Sequence, residues 1–118
     1  MDNKEIIKTA VKAIEDKKGR RLEVIRVGDL TVLADYFVLT SGGSPAQVKA
    51  LADEVEHKLN EKGIVPKRTE GYRGANWIIL DYIDVVVHIF HEQTREFYDL
   101  ERLWRDGEFI NPDEFHEN

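Results

Sequence analysis

The 118-residue sequence contains no cysteine, which excludes a disulfide framework, a thiolate metal site and a cysteine nucleophile. A reducing compartment is the natural expectation for such a chain. No apolar run approaches the roughly 20 residues that span a bilayer, and the N-terminal stretch MDNKEIIKTAVKAIEDKK is charged and amphipathic, unlike a signal peptide. We therefore expect a cytoplasmic protein with no membrane contact.

The chain also lacks the basic excess that binding to a nucleic-acid backbone requires. Its formal net charge is −6 and its pI is near 5.2, whereas phosphate binding relies on clustered lysine and arginine. One basic cluster occurs between Lys17 and Arg21, at a predicted helix C-terminus where cations are favourable in any case. A direct RNA binder that uses this cluster is the least favoured reading, and a basic protein partner suits the charge better.

Composition and patterning predict a single α/β domain over residues 1–118. Apolar residues at helical spacing predict a helix that ends before Gly19 and a second, capped helix between Ser44 and Gly63. Strands are predicted at RLEVIRV, DYFVLT, VPKRTEG, WIILDY and DVVVHIF, the last two forming a hairpin. TREFYDLERLW is predicted to be the final helix, with Phe97, Leu100, Leu103 and Trp104 on one stripe, before a loose tail over residues 106–118. The expected fold is a mixed sheet of about five strands with packed helices.

The stretch DYIDVVVHIFHEQ raises the possibility of a metal site. Alternation along a strand places Asp84, Val86, His88 and Phe90 on one face, and Val85, Val87, Ile89 and His91 on the other. A regular strand therefore cannot bring His88 and His91 to one ion, and no metal is expected. His88 is predicted to be structural, half-buried and satisfied by one hydrogen bond.

An enzyme is the alternative reading, because TSGGS follows an apolar strand and opens a helix. This layout resembles nucleotidyltransferases, in which a Gly-Ser turn holds phosphate and two carboxylates alternating along a strand hold magnesium. Here Asp84 is followed by Val86 and His88 on its strand face, and Asp81 could converge with it only through the turn. The sheet is thus expected to be nucleotidyltransferase-like without the catalytic carboxylates, and a nucleotide-binding enzyme stays the second candidate.

The segment WIILDYIDVVVHIFHEQTREFYDLERLW, from Trp77 to Trp104, resembles the ribosomal silencing factor family, also called Iojap-like. The family's tryptophan, aspartate-flanked turn, DVVVH strand and R-x-F-Y-x-L-E-x-L-W helix are all present, and the upstream ADYFVLTSGGSPAQVKALADEVE is similar as well. One position departs from the pattern, since many members have glycine where Ile83 stands. A β-branched residue resists the positive φ that tight hairpin turns favour.

The resemblance implies a non-enzymatic factor, without cofactor, that binds the large ribosomal subunit through the basic ribosomal protein L-fourteen. Bound there, it would sterically block joining of the small subunit and repress translation when nutrients are scarce. Little direct RNA contact is implied, and members are often homodimeric when free.

We expect the contact surface on the second half of the chain, since interfaces are enriched in tryptophan and tyrosine. Trp77 is the expected aromatic anchor, although a core role is equally compatible with its pattern. Aspartate and glutamate side chains would pair with the basic partner, and tyrosines would add contact area. The predicted partner-binding residues are Trp77, Asp81, Tyr82, Asp84, Tyr98 and Glu101.

Overall fold

A computed structural model describes residues 2–116 and contains one six-stranded sheet with helices on both of its faces. The elements in chain order are α1 (Asn3–Asp16), β1 (Arg20–Arg26), β2 (Tyr36–Gly42), α2 (Pro45–Glu61), β3 (Arg68–Glu70), β4 (Trp77–Asp81), β5 (Val85–His91), α3 (Glu92–Tyr98), α4 (Leu100–Leu103), β6 (Glu108–Ile110) and a 3-10 turn (Pro112–Phe115). Among the described residues, no helix combines the length and apolar character that a membrane crossing would need.

The sheet is mixed, as predicted, with the strand order β3-β4-β5-β2-β1-β6. Only the central pair β2 and β5 runs parallel, and the other four pairs are antiparallel. β2 is buried along almost its whole length, which explains its continuously apolar sequence, because a central strand contacts side chains on both faces. The hairpin of β4 and β5 is confirmed, with Trp77 opposite Phe90.

Helices α1 and α2 cover one face of the sheet, which we call the helix face. The start of α2 is fixed by Ser44, whose Oγ accepts from the backbone N–H of Gln47 at 3.2 Å. The Gln47 side chain reaches back to the N–H of Gly43 at 2.8 Å, one residue before its usual position in a capping box. The helix ends at Glu61, and Gly63 turns the chain with φ +79°, so that the N–H of Ile64 bonds the carbonyl of Leu59 at 3.0 Å.

The opposite sheet face, which we call the recognition face, is covered only in part. Ile25, Phe37, Leu39 and Phe90 are buried there with Leu100, while Trp77, Val86 and Trp104 are partly exposed. The single final helix predicted from the sequence was wrong, because Asp99 adopts the left-handed conformation with φ 47° and ψ 57° and separates α3 from α4. The predicted stripe is broken in consequence, since Phe97 is 81% and Leu103 71% exposed.

The predicted loose tail was wrong through residue 116, and the predicted five strands become six for the same reason. β6 pairs antiparallel with β1, with Ile110 opposite Val24. The following 3-10 turn buries Phe115 against the helix-face core. These apolar residues hold the segment to the sheet, whereas the surrounding polar residues suggested a tail. Residues 117 and 118 lie outside the described part of the chain.

Candidate partner-binding surface

Trp77 stands at the start of β4 on the recognition face and is held by three aromatic neighbours. Its ring stacks on Phe90 with a centroid distance of 4.9 Å and contacts Tyr98 at 5.1 Å. Its indole N–H donates to Nδ1 of His88 at 3.1 Å. The side chain remains partly exposed, so it is both fixed by the fold and available to a partner.

His88 lies beneath Trp77, on the face that strand alternation predicted. The ring is 7% exposed, and this burial lowers its pKa to about 4, so the imidazole is neutral near pH 7. Because Nδ1 accepts from the indole, the ring proton lies on Nε2, which has no hydrogen-bond partner among the described residues. The predicted single hydrogen bond is present, but the predicted half-burial was wrong, because the ring is buried and that bond leaves Nε2 unsatisfied among the described residues. Its structural role stays a prediction.

Asp81 organises the turn between β4 and β5. One carboxylate oxygen accepts from the N–H of Ile83 at 2.8 Å, and the other accepts from Nε of Arg68 at 3.2 Å. Ile83 has φ +76°, the conformation that its β-branch resists, and its side chain is 60% exposed. The turn is thus strained at an apolar residue that faces solvent.

Asp84 follows this turn with an exposed side chain that forms no ion pair within residues 2–116. Its backbone carbonyl accepts from the N–H groups of Asp35 at 2.8 Å and Tyr36 at 3.0 Å. The hairpin turn is therefore bonded to the loop that precedes β2, and both lie at the same end of the central strands.

Tyr82 does not lie with Trp77. It is 6% exposed and packs in the helix-face core, and burial raises the pKa of its hydroxyl. Alternation from Ile78 through Leu80 points to this placement, since Trp77, Ile79 and Asp81 take the other side of β4. Tyr82 supports the turn from within the fold.

Glu101 belongs to a charge cluster built around Arg95, which the sequence analysis placed in the family motif but gave no role of its own. The Arg95 guanidinium is buried and donates to Glu101 at 3.0 Å, to Glu23 at 3.3 Å and to the Ser41 hydroxyl at 3.3 Å. Arg21 donates to the same Glu101 oxygen at 3.2 Å. Glu101 therefore fastens α3 and α4 to the sheet instead of facing solvent.

Burial and charge oppose each other in this cluster. Desolvation lowers the pKa of Arg95, and desolvation together with the neighbouring Glu101 raises the pKa of Glu23. The two carboxylates offset the cost of burying the Arg95 charge. The guanidinium in turn offsets the cost of removing these carboxylates from water.

The Gly-Ser turn before α2 uses its polar groups internally. The N–H of Gly43 bonds the Gln47 side chain, and the Ser44 hydroxyl accepts from the Gln47 N–H. The guanidinium of Arg20, which lies over Gly43, is paired with Glu92 at 3.0 Å. The Gly43 N–H and the Ser44 oxygen therefore serve to cap the helix.

The structure brings together Trp77, Asp81 and Tyr98 on the recognition face, with Asp84 at its edge. Ile79 lies half-buried between Trp77 and Asp81 on β4, and the half-buried Val86 lies opposite Asp81 on β5. Tyr82 is buried in the helix-face core, and Glu101 is largely buried in the Arg95 cluster. The contact roles of all six residues stay predictions.

The whole sequence, residues 1–118, matches the family described as "Ribosomal silencing factor during starvation". The chain is similar to the protein named ribosomal silencing factor RsfS from Halalkalibacterium halodurans, with 42% identity over 107 residues that cover 91% of this chain and 92% of that protein. It is 38% identical to the protein of the same name from Bacillus subtilis over 113 residues, which cover 96% of each.

More distant and structural matches agree. A mouse protein named mitochondrial assembly of ribosomal large subunit protein 1 is 29% identical over 97 residues, covering 80% of this chain and 42% of that one. The crystal structure of a Chromobacterium violaceum protein superposes with a TM-score of 0.85 at 39% identity, covering 88% of this chain and 87% of that chain.

Fold and matches together define a regulator of the ribosome built on a mixed six-stranded sheet. The chain belongs to the ribosomal silencing factor family, and the resemblance found in the sequence is confirmed.

Proposed function

We propose that this protein is a non-enzymatic, cytoplasmic factor that binds the large ribosomal subunit through ribosomal protein L-fourteen and sterically blocks joining of the small subunit. Translation is repressed in consequence. Trp77 is the observation that carries the proposal, because it is an aromatic anchor on a half-covered sheet face, locked by Phe90, Tyr98 and His88.

The locked geometry favours binding. An aromatic side chain that is already fixed loses little rotamer freedom when a partner covers it, so more of its contact energy appears as affinity. Tyr98 contacts Trp77, Ile79 follows it on the same face of β4, and Val86 extends this partly exposed area beside Asp81. This arrangement matches the pattern of a central anchor within a less critical rim.

The charge at the rim supports a basic protein as the partner. Asp84 has no ion pair within the described residues, and Asp81 is matched only by the exposed Arg68. A carboxylate-bearing rim on a chain of net charge −6 attracts lysine and arginine side chains and repels phosphate. The name of the mouse relative independently points to the large subunit.

A steric mechanism needs bulk and not catalysis. The protein measures 33 × 30 × 27 Å, which is large enough to hold two surfaces apart when it sits on one of them. Tyr82 and Glu101 contribute by supporting the hairpin turn and the short helices. A nucleotide-binding enzyme is less well supported, because the Gly-Ser turn is satisfied internally and Asp84 has no second carboxylate on its strand.

The test is a subunit-joining assay. Purified protein is mixed with isolated large subunits, small subunits are added, and joining is followed by sedimentation. We expect inhibition that saturates at a stoichiometric ratio to large subunits and that Trp77→Ala relieves. Unimpaired joining without cosedimentation would contradict the proposal. Calorimetric titration with magnesium and nucleoside triphosphates distinguishes the enzyme, which must bind them.

A further inference from the structure

Four large aliphatic side chains are exposed at the end of the sheet where the β4–β5 hairpin turn lies. The loop between β1 and β2 presents three of them, and the β4–β5 turn presents the fourth. We call this set the loop–turn patch: Leu30 is 45%, Val32 103%, Leu33 79% and Ile83 60% exposed. The bonds from Asp35 and Tyr36 to the Asp84 carbonyl join the two segments, so the four residues form one neighbourhood.

The loop holds its apolar residues outward in a defined conformation. The N–H groups of Leu30 and Thr31 both donate to the carbonyl of Val27, at 2.9 and 3.1 Å. The Thr31 hydroxyl accepts from the N–H of Leu33 at 3.1 Å. These bonds give the loop tip a fixed shape, and Val32 stands at its most exposed point.

Ile83 adds a second reason to regard the patch as functional. A β-branched residue with φ +76° is strained by an amount that glycine would avoid. The strained residue contributes little burial to the fold, since most of its surface is in solvent. Packing within the described fold therefore gives no reason for an isoleucine at this strained position.

The charges beside the patch identify the kind of partner. Arg26 faces two carboxylates, Asp29 at 3.1 Å and Glu108 at 2.9 Å. This end of the sheet therefore carries more carboxylates than cationic side chains, and Asp84 adds to the excess. A second copy of the chain would place like charges opposite one another, which is unfavourable. A basic protein surface would be complementary.

We infer that the loop–turn patch is a second contact arm, which takes an aliphatic patch flanked by lysine or arginine on a protein of the large ribosomal subunit. This inference rests on the proposed function. It extends the proposed binding surface from Trp77 and Asp81 to the loops at the end of the sheet. Trp77 on the recognition face and the aliphatic side chains of the loop–turn patch contact the same basic partner.

The test measures affinity for isolated large subunits by cosedimentation. Val32→Lys removes apolar contact and adds a repelling charge, so we expect affinity to fall at least tenfold. Val32→Glu removes the same contact but adds an attracting charge, and we expect a smaller loss. Asn60→Lys and Asn60→Glu are charge-matched controls on an exposed position of α2, and both should bind like the unmodified chain.

Ile83→Gly separates recognition from folding. The variant should be as stable as the original or more so in urea unfolding, because the strain is relieved, while affinity falls several-fold. Wild-type affinity in Val32→Lys and Ile83→Gly, alongside loss in Trp77→Ala, would overturn the patch and leave the proposed function intact. Absence of binding by the unmodified chain would overturn the proposed function itself. A free dimer that Val32→Lys dissociates, with subunit binding unchanged, would assign the patch to self-association and overturn this inference.

Discussion

The two faces of the sheet are built by different physical means. The helix face is sealed by α1 and α2 over aliphatic side chains such as Ile14, Leu51 and Val87, each fully buried. The recognition face is covered by α3 and α4, which bury only Arg95 and Leu100 of their own residues. Apolar burial secures the first layer, whereas the second combines a smaller apolar cluster with the Arg95 ion pairs.

This difference explains how one small domain combines stability with an open binding surface. A sheet face sealed by long amphipathic helices has no room for a partner. Two short helices held at one end by a charge cluster leave Trp77, Ile79 and Val86 within reach of solvent. The arrangement separates the residues that fold the chain from those we propose to bind.

The largest expected effect comes from removing the charge that holds the second layer. Arg95→Met removes the ion-pair partner of Glu23 and leaves Glu101 paired only with Arg21, and loss of one partner of a buried ion pair costs about 3–5 kcal/mol. Urea unfolding should show this loss. Adding Glu23→Gln and Glu101→Gln to the same chain should recover much of it. A small effect of Arg95→Met alone would mean that apolar packing secures both faces.

Acid should destabilise the recognition face through His88. Its pKa of about 4 when folded lies below the ordinary 6.5, so the unfolded chain takes up the proton first. The stabilising contribution is complete above about pH 6.5 and is lost as the pH falls toward 4, by roughly 3 kcal/mol in total. His88→Phe should flatten the pH dependence of unfolding in this window, measured against the unmodified chain. Parallel curves for the two proteins would exclude His88 as the cause.

Substitutions on opposite faces should separate binding from stability. Trp77→Ala should weaken binding to large subunits by about 2 kcal/mol or more, as expected for a buried aromatic anchor. Leu51→Ala on the helix face is the matched control, and it should lose about 2–5 kcal/mol of unfolding free energy while binding normally under conditions where it stays folded. Equal loss of binding in both variants would break the separation of the faces.

The smallest effect is expected at the C-terminal turn. The Glu15 carboxylate lies 2.8 Å from Nε2 of His116 and raises the pKa of this exposed histidine. The contribution is therefore present at low pH and fades as the pH rises through the raised pKa. His116→Ala should slightly lower the unfolding midpoint below neutral pH and leave it unchanged in alkaline buffer. Equal midpoints at all pH values would show that the pair of His116 and Glu15 does not stabilise the turn.

Local pattern was enough to predict much of the fold. Alternation assigned the two faces of β5, the Ser44 cap located α2, and the short WIILDY and DVVVHIF runs predicted the hairpin. The same alternation, carried from Ile78 to Tyr82, would have placed that tyrosine in the core.

The features that the sequence did not predict depend on long-range contacts or on backbone conformation. β6 exists because it pairs with β1, far away in the sequence. The break at Asp99 depends on a left-handed residue that helical periodicity does not reveal. The Arg95 cluster joins residues from β1, β2, α3 and α4, and no local window contains them all. For the candidate site, sequence reasoning named Trp77 and the two aspartates, but exposure could be judged only from the fold.

Both outermost strands of the sheet, β3 and β6, are only three residues long. Edge strands this short, with charged residues such as Arg68 and Glu70, offer few free backbone groups for pairing with a strand of another chain. This suppresses edge-to-edge aggregation. A protein that exposes aliphatic side chains and an aromatic anchor needs this protection. β6 also caps β1, so a truncation before residue 108 would bare the longer strand, and we would expect the shortened chain to aggregate in solution.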